Sequence, residues 1–392
     1  MPDQQQHQPS EPSEQEQLAI ERQRPTEALG RLARRQLGEP DVPDTAPEPI
    51  PTMQSRRMGR LGRLRWLALA ALAVCVVIAG SVALYAHNAQ QGAGRAPVTT
   101  ETGRIHEFRL PETGSRPVSI VQGPDGNLWF TEFDGNRIGR ITPTGAISEY
   151  PLPTPDSQPY MLTAGPDSNL WFTEYNAPRI GRITPDGTIT EYPLPSGAVV
   201  AFWITTGADG ALWFSEYDDK IGRITTAGAM TEYPLPARSN AFTIISGPDG
   251  ALWFDEYGNK IGKMTTGGAL TEYLLPTINT NIDGITAGPD GNVWFSDYAS
   301  NTIGRITPSG AVSEFPAPST YNELNDLTAG PDHALWFTEE DGHLGRITTN
   351  GVITQLTLPD PNSQPIGLTA GPNHTLWFTE AGANAIGMLT LA

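Results

Sequence analysis

Seven carboxylates recur along the second part of the chain at intervals of 40 to 42 residues: Glu132, Glu174, Glu216, Glu256, Asp297, Glu339 and Glu380. Further acids crowd the same stretches, namely Asp134, Asp218, Asp219, Asp255, Glu340 and Asp341. Clusters of this kind take hard divalent cations through oxygen. An acid present in every unit also suits a plainer task, accepting the backbone hydrogen bonds that hold each unit in shape. That task is the default reading for any one of the seven. A second series behaves differently. Val118, Tyr160, Phe202, Phe242, Asp283, Asn325 and Ile366 occupy equivalent places in successive units yet change from unit to unit. A scaffold does not dictate such positions, so they are where a ligand would be read. Asp283, Glu339 and Glu380 are the candidate cation ligands, and Tyr160, Phe202, Trp203, Phe242, Asn325, Asp326 and Ile366 the candidate ligand contacts. No residue stands out as catalytic. His343 lies near the acids, whereas His333 and His374 fall in turns and His106 on an outer strand; each reads as a surface histidine. There is no Ser-His-Asp set, phosphate loop or zinc motif, and the single cysteine, Cys75, excludes a disulfide framework.

These spacings come from a repeat. Its marker is Leu-Trp-Phe followed by a hydroxyl residue (once Asp) and an acid, with the tryptophans at 129, 171, 213, 253, 294, 336 and 377. Before each tryptophan stands a turn such as Gly123-Pro124-Asp125-Gly126. After it come a run like Ile138-Gly139-Arg140-Ile141-Thr142, a glycine turn, and a run like Ile147-Ser148-Glu149-Tyr150-Pro151. Each unit therefore holds four short β-rich runs parted by Gly, Pro and Asp turns, the pattern of antiparallel strands joined by hairpins. Seven such units predict an all-β, seven-bladed β-propeller of four-stranded blades over residues 104–392. The last unit stops after its third run, at Leu389-Thr390, and Arg104–Pro111 matches a free-standing fourth run. The N-terminal strand is thus expected to complete blade seven and close the ring, leaving no open edge and a monomeric propeller. In this arrangement the seven acids and the seven variable positions share the face around the mouth of the central channel. Trp203 stands outside the repeat, beside Phe202, and serves either as part of an aromatic wall there or as loop filling.

The run GPDGNLWFTE…RIGRITPTGAISEYPLPTPDSQPY resembles the blade of the virginiamycin B lyase family, and the resemblance covers residues 104–392. It implies a propeller that opens a streptogramin B, a cyclic depsipeptide, at its ester bond by elimination, as a carbon–oxygen lyase using a divalent cation, usually magnesium. It also implies a Pro-His pair opening the inner strand of blades six and seven, a glutamate just before the second pair, and a glutamate ending that blade's second strand. Here Asn325 and Ile366 stand at the histidine positions, Gln364 at the first glutamate and Val118 at a tyrosine of blade one. Glu380 alone matches.

The remainder of the chain concerns placement. Residues 1–103 carry 11 basic and 11 acidic residues; residues 104–392 carry 14 and 32, so the formal charge of −18 belongs wholly to the repeat region. Nucleic-acid binding there is excluded, because phosphate contact needs a basic face. Residues 66–86, WLALAALAVCVVIAGSVALYA, are 21 uncharged residues, long enough for a helix to cross a bilayer. Arg56, Arg57, Arg60, Arg63 and Arg65 precede them, which puts the N-terminus in the cytoplasm and the propeller outside. A cleaved signal peptide, with translation from Met53 or Met58, is the competing reading. Residues 1–65 read as a disordered cytoplasmic tail and 87–103 as a linker. Two functions follow. One is a membrane-anchored extracytoplasmic propeller that binds or senses a small-molecule or peptide ligand on its acidic face. The other is a magnesium-dependent lyase with a rearranged site.

Overall fold

A computed structural model describes residues 104–195, 200–278, 280–318 and 324–391. The tail, membrane segment and linker expected over 1–65, 66–86 and 87–103 lie outside these. Among the described residues there is no helix long and apolar enough to cross a membrane. They form seven antiparallel four-stranded sheets, and the chain is the seven-bladed propeller that its period predicts. Blade one comprises Pro117–Gln122, Leu128–Glu132, Arg137–Ile141 and Ile147–Pro151, from the inner strand outward. The other blades repeat this order. Blade seven takes its inner three strands from the C-terminus, and Arg104–Arg109 pairs antiparallel with Ala385–Thr390 as its outer strand. The first and last strands of the propeller are thereby joined, as expected.

The repeated residues have identifiable tasks. In blade one the third-strand Gly139 lies over Phe130, and a Cβ there would sit 2.1 Å from the ring, so no larger residue fits. Trp129 stacks on Tyr150 at 5.6 Å and packs, fully buried, with Leu170 and Phe172 of blade two. Its indole N–H donates to Asp125 of the preceding turn at 3.0 Å, and the Arg140 guanidinium lies 5.5 Å above the ring. The same aspartate-capped, cation-covered tryptophan recurs in blades two to five, and in blade six Asp332 takes the Trp336 N–H and pairs with Arg346. In blade seven, whose turn lacks the aspartate, Thr375 accepts the Trp377 N–H instead, at 2.9 Å. Buried aromatic area between neighbouring blades, with its polar edge satisfied, is what makes seven small sheets one body.

Candidate functional site

The hydroxyl in the Leu-Trp-Phe-Thr/Ser-acid motif sets the geometry of the channel mouth. Thr131, Thr173, Ser215, Ser296, Thr338 and Thr379 donate to the backbone carbonyls of Tyr160, Phe202, Phe242, Asn325, Ile366 and Val118, each in the next blade, at 2.5–2.9 Å. This belt holds the variable inner-strand residues at one level around the ring. A bulge directly after the first residue of most inner strands turns these residues out of the regular ladder. Blade four departs from the rule. Its acceptor-only Asp255 replaces the hydroxyl and takes the Phe242 and Thr243 amides of its own blade, at 2.8 and 2.6 Å. Its inner strand shortens to Ile244–Ser246. The hydroxyl was visible in the sequence, but its partner lies 27 to 29 residues away in another blade or across the closure.

The level so defined is two-sided. On blades one to four the rings of Phe133, Tyr160, Tyr175, Phe202, Tyr217 and Phe242 form a continuous set of tilted and edge contacts, with centroids 4.9–6.2 Å apart. Trp203 joins it edge-on to Phe242 at 6.2 Å. It lies on the inner strand Ala201–Thr206 of blade three and is buried. On blades five and six stand Asp283, Asn325 and Asp326, brought close because Gly284 lets the strands approach; a Cβ on it would lie 2.8 Å from the Asn325 carbonyl oxygen. Asn325 is fully buried and its amide donates to the Pro365 carbonyl at 3.1 Å. The half-buried Asp326 accepts from the Leu327 and Leu368 amides at 2.9 and 3.2 Å, and burial pushes its carboxyl up to about 7. The Tyr160 phenol is wholly buried, and its oxygen makes no hydrogen bond. Its pKa rises well above the usual value through burial, with Asp283 the strongest neighbouring charge and Asp326 adding to it. Ile366 closes the ring as a buried apolar residue. On the rim, Arg116 lies over Phe133 at 5.1 Å and 3.8 Å from Asp134.

The seven repeated acids do not make a solvent-facing surface. Each is at most 4 % exposed. The sequence reading expected them to accept backbone hydrogen bonds, and Asp297 does so from Asn281 and Ala299 at 2.9 and 3.1 Å. Glu256 instead takes the Ser239 hydroxyl and Glu339 the Gln355 amide, at 3.1 and 2.6 Å. Neither oxygen of Glu132, Glu174, Glu216 or Glu380 receives a well-formed hydrogen bond. Burial pushes Glu132 and Glu174 up to about 7, and Glu216 and Glu380 up to about 8. The longer glutamate reaches into the blade, whereas the shorter Asp297 draws back onto its own turn.

The three expected cation ligands stand in separate surroundings. Asp283 is buried on the inner strand Ile282–Ala287 of blade five, Glu380 is buried near Glu107 and Ser363, and Glu339 belongs to a group with Asp341 and His343 whose ligand atoms all lie within 4.8 Å of one another. His343 Nδ1 is 2.7 Å from Asp341. Sequence reading left His343 as a surface residue; its position directly opposite Glu339 in the hairpin was the available signal. The residues at the family's blade-seven position do not fit magnesium. Where the resemblance implies a carboxylate and an imidazole, Gln364 offers one neutral amide oxygen and Ile366 no ligand atom at all.

Comparison with known proteins agrees with this frame. The Virginiamycin B lyase family model matches residues 68–242 and 237–392. A solved streptogramin B lyase is 38 % identical with a TM-score of 0.71, covering 74 % of this chain and 98 % of that one. Virginiamycin B lyase from Staphylococcus aureus is 39 % identical at 0.71, covering 74 % and 100 %. A catalytically inactive histidine-to-alanine variant of the S. aureus enzyme, solved with quinupristin, is 38 % identical at 0.71 with the same coverage. A propeller described as the extracellular domain of a hybrid two-component system from B. thetaiotaomicron, 15 % identical at 0.60 and covering 74 % of this chain and 42 % of that one, shares the fold alone. No curated protein matches.

Proposed function

Because this chain belongs to the virginiamycin B lyase family, we propose that its propeller keeps the family's ligand-binding frame without the lyase chemistry. It acts as a binding or sensing module, held outside the cytoplasm by residues 66–86 with residues 1–65 inside. The observation that supports this is the pair Asn325 and Ile366. Elimination needs a base for the substrate proton, and neither side chain exchanges a proton near neutral pH. Both are also buried, at 0 and 2 % exposure. Absence of a positioned base lowers a rate by about 10²–10⁴-fold. By analogy with the inactive histidine variant of the S. aureus enzyme, the chain would hold a cyclic depsipeptide without opening it.

The test is incubation of the full-length chain with quinupristin and magnesium, followed by mass spectrometry for the ring-opened product. The expected result is no product above the protein-free control. Product that appears with the protein and vanishes in Glu380→Gln overturns the reading. The second reading, a magnesium-dependent carbon–oxygen lyase with a rearranged site, draws on Glu339, Asp341 and His343, which place an imidazole beside two carboxylates. Product lost in His343→Ala would favour it.

A further inference from the structure

The channel mouth pairs two chemistries that a simple cation site or a simple apolar site does not combine. One side is a wall of ring faces and edges, where Tyr160 and Phe202 lie 6.2 and 4.9 Å from Phe242 and Trp203 lies edge-on to it. The other side carries Asp283 and Asp326 on adjacent blades, held together by the close approach at Gly284. Phe242 and Asp326 are the partly exposed members of the two sides. Between them the wholly buried Tyr160 phenol ends without a hydrogen-bond partner. Burial raises its pKa well above the usual value, and the charges of Asp283 and Asp326 add to the rise.

A bare metal ion would gain nothing from the aromatic wall, and a neutral apolar ligand would gain nothing from two acids facing it. An organic ammonium gains from both: ring faces attract its positive charge, and carboxylates accept its N–H bonds. The free lone pairs of the Tyr160 oxygen add a further acceptor. Resting on the ligand-binding reading above, we propose that the channel mouth recognises a primary ammonium group borne on an apolar body. The ammonium points to Asp283, Asp326 and the Tyr160 oxygen, and the apolar body lies against Phe242 and Trp203. Such a group is presented by a basic side chain, an amino terminus or a free amine, and the site reads the charge common to all three.

The probe is benzylamine, with benzyl alcohol as its neutral counterpart and magnesium chloride as competitor, titrated calorimetrically into the full-length chain at pH 7. Benzylamine should bind saturably and at least about tenfold more tightly than benzyl alcohol, and magnesium should not displace it. Asp283→Asn should remove most of that tenfold preference while leaving benzyl alcohol binding in place. Phe242→Leu should weaken benzylamine by about threefold or more. If Asp283→Asn does not fold, Asp326→Asn supplies the same comparison. Equal affinity for amine and alcohol overturns the ammonium assignment but keeps a ligand site. Displacement by magnesium makes it a metal site and overturns the assignment too. Saturable binding of neither compound overturns both the assignment and the ligand-binding reading at this mouth.

Discussion

Replacing Glu216 by glutamine should make the protein more stable as the pH rises. Glu216 is wholly buried, and neither of its oxygens has a hydrogen-bond partner. Burial, with Glu232 and Asp218 adding to it, pushes its carboxyl from 4.5 up to about 8. The unfolded chain therefore gives up this proton near pH 4.5 and the folded chain near pH 8. Between those values the folded state binds more protons, so stability falls with pH. Each pH unit in that window costs about 1.4 kcal/mol, which accumulates to about 3 kcal/mol at pH 7 and about 4 kcal/mol by pH 8. Below pH 4.5 both states are protonated and the contribution is fully present. Glutamine has no proton to lose, so Glu216→Gln escapes this dependence. Urea unfolding of the two proteins at pH 5, 6, 7 and 8 measures it. The stability of the variant relative to the parent should rise by about 2.5 kcal/mol between pH 5 and pH 7. A difference that stays constant across the series, or that shrinks as pH rises, would refute the buried neutral carboxyl.

Two more perturbations probe the frame that carries the site. Thr173→Val keeps the shape but leaves the Met161 amide and the Phe202 carbonyl without their buried partner. Thermal unfolding should show a loss of about 1–3 kcal/mol for each orphaned group, and an unchanged midpoint would mean that the belt is incidental. Deleting residues 104–110 removes the outer strand paired with Ala385–Thr390 and exposes a sheet edge. Size-exclusion chromatography should show oligomers or aggregate, and a monomer that unfolds at the parent's temperature would refute closure by this strand.

Blade number, strand order and the split last blade were legible in the sequence. The signals are local: turn glycines, the tryptophan marker and strand runs fall within one 40-residue unit, and hairpin pairing joins neighbours in the chain. The variable positions could likewise be named, because a repeat exposes whatever departs from it. Their chemistry could not. Whether a repeated acid faces solvent or the interior depends on how deep the second strand sits in the packed ring, and only the tertiary structure places Glu216 and Glu380 out of water. The hydroxyl beside them had no readable partner, since Thr379 reaches the Val118 carbonyl across the ring closure, 261 residues away. Tyr160 and Asp283 belong to blades two and five, and no local pattern brings them together. They meet because seven twisted sheets close on a common axis, which places every inner strand beside the same channel.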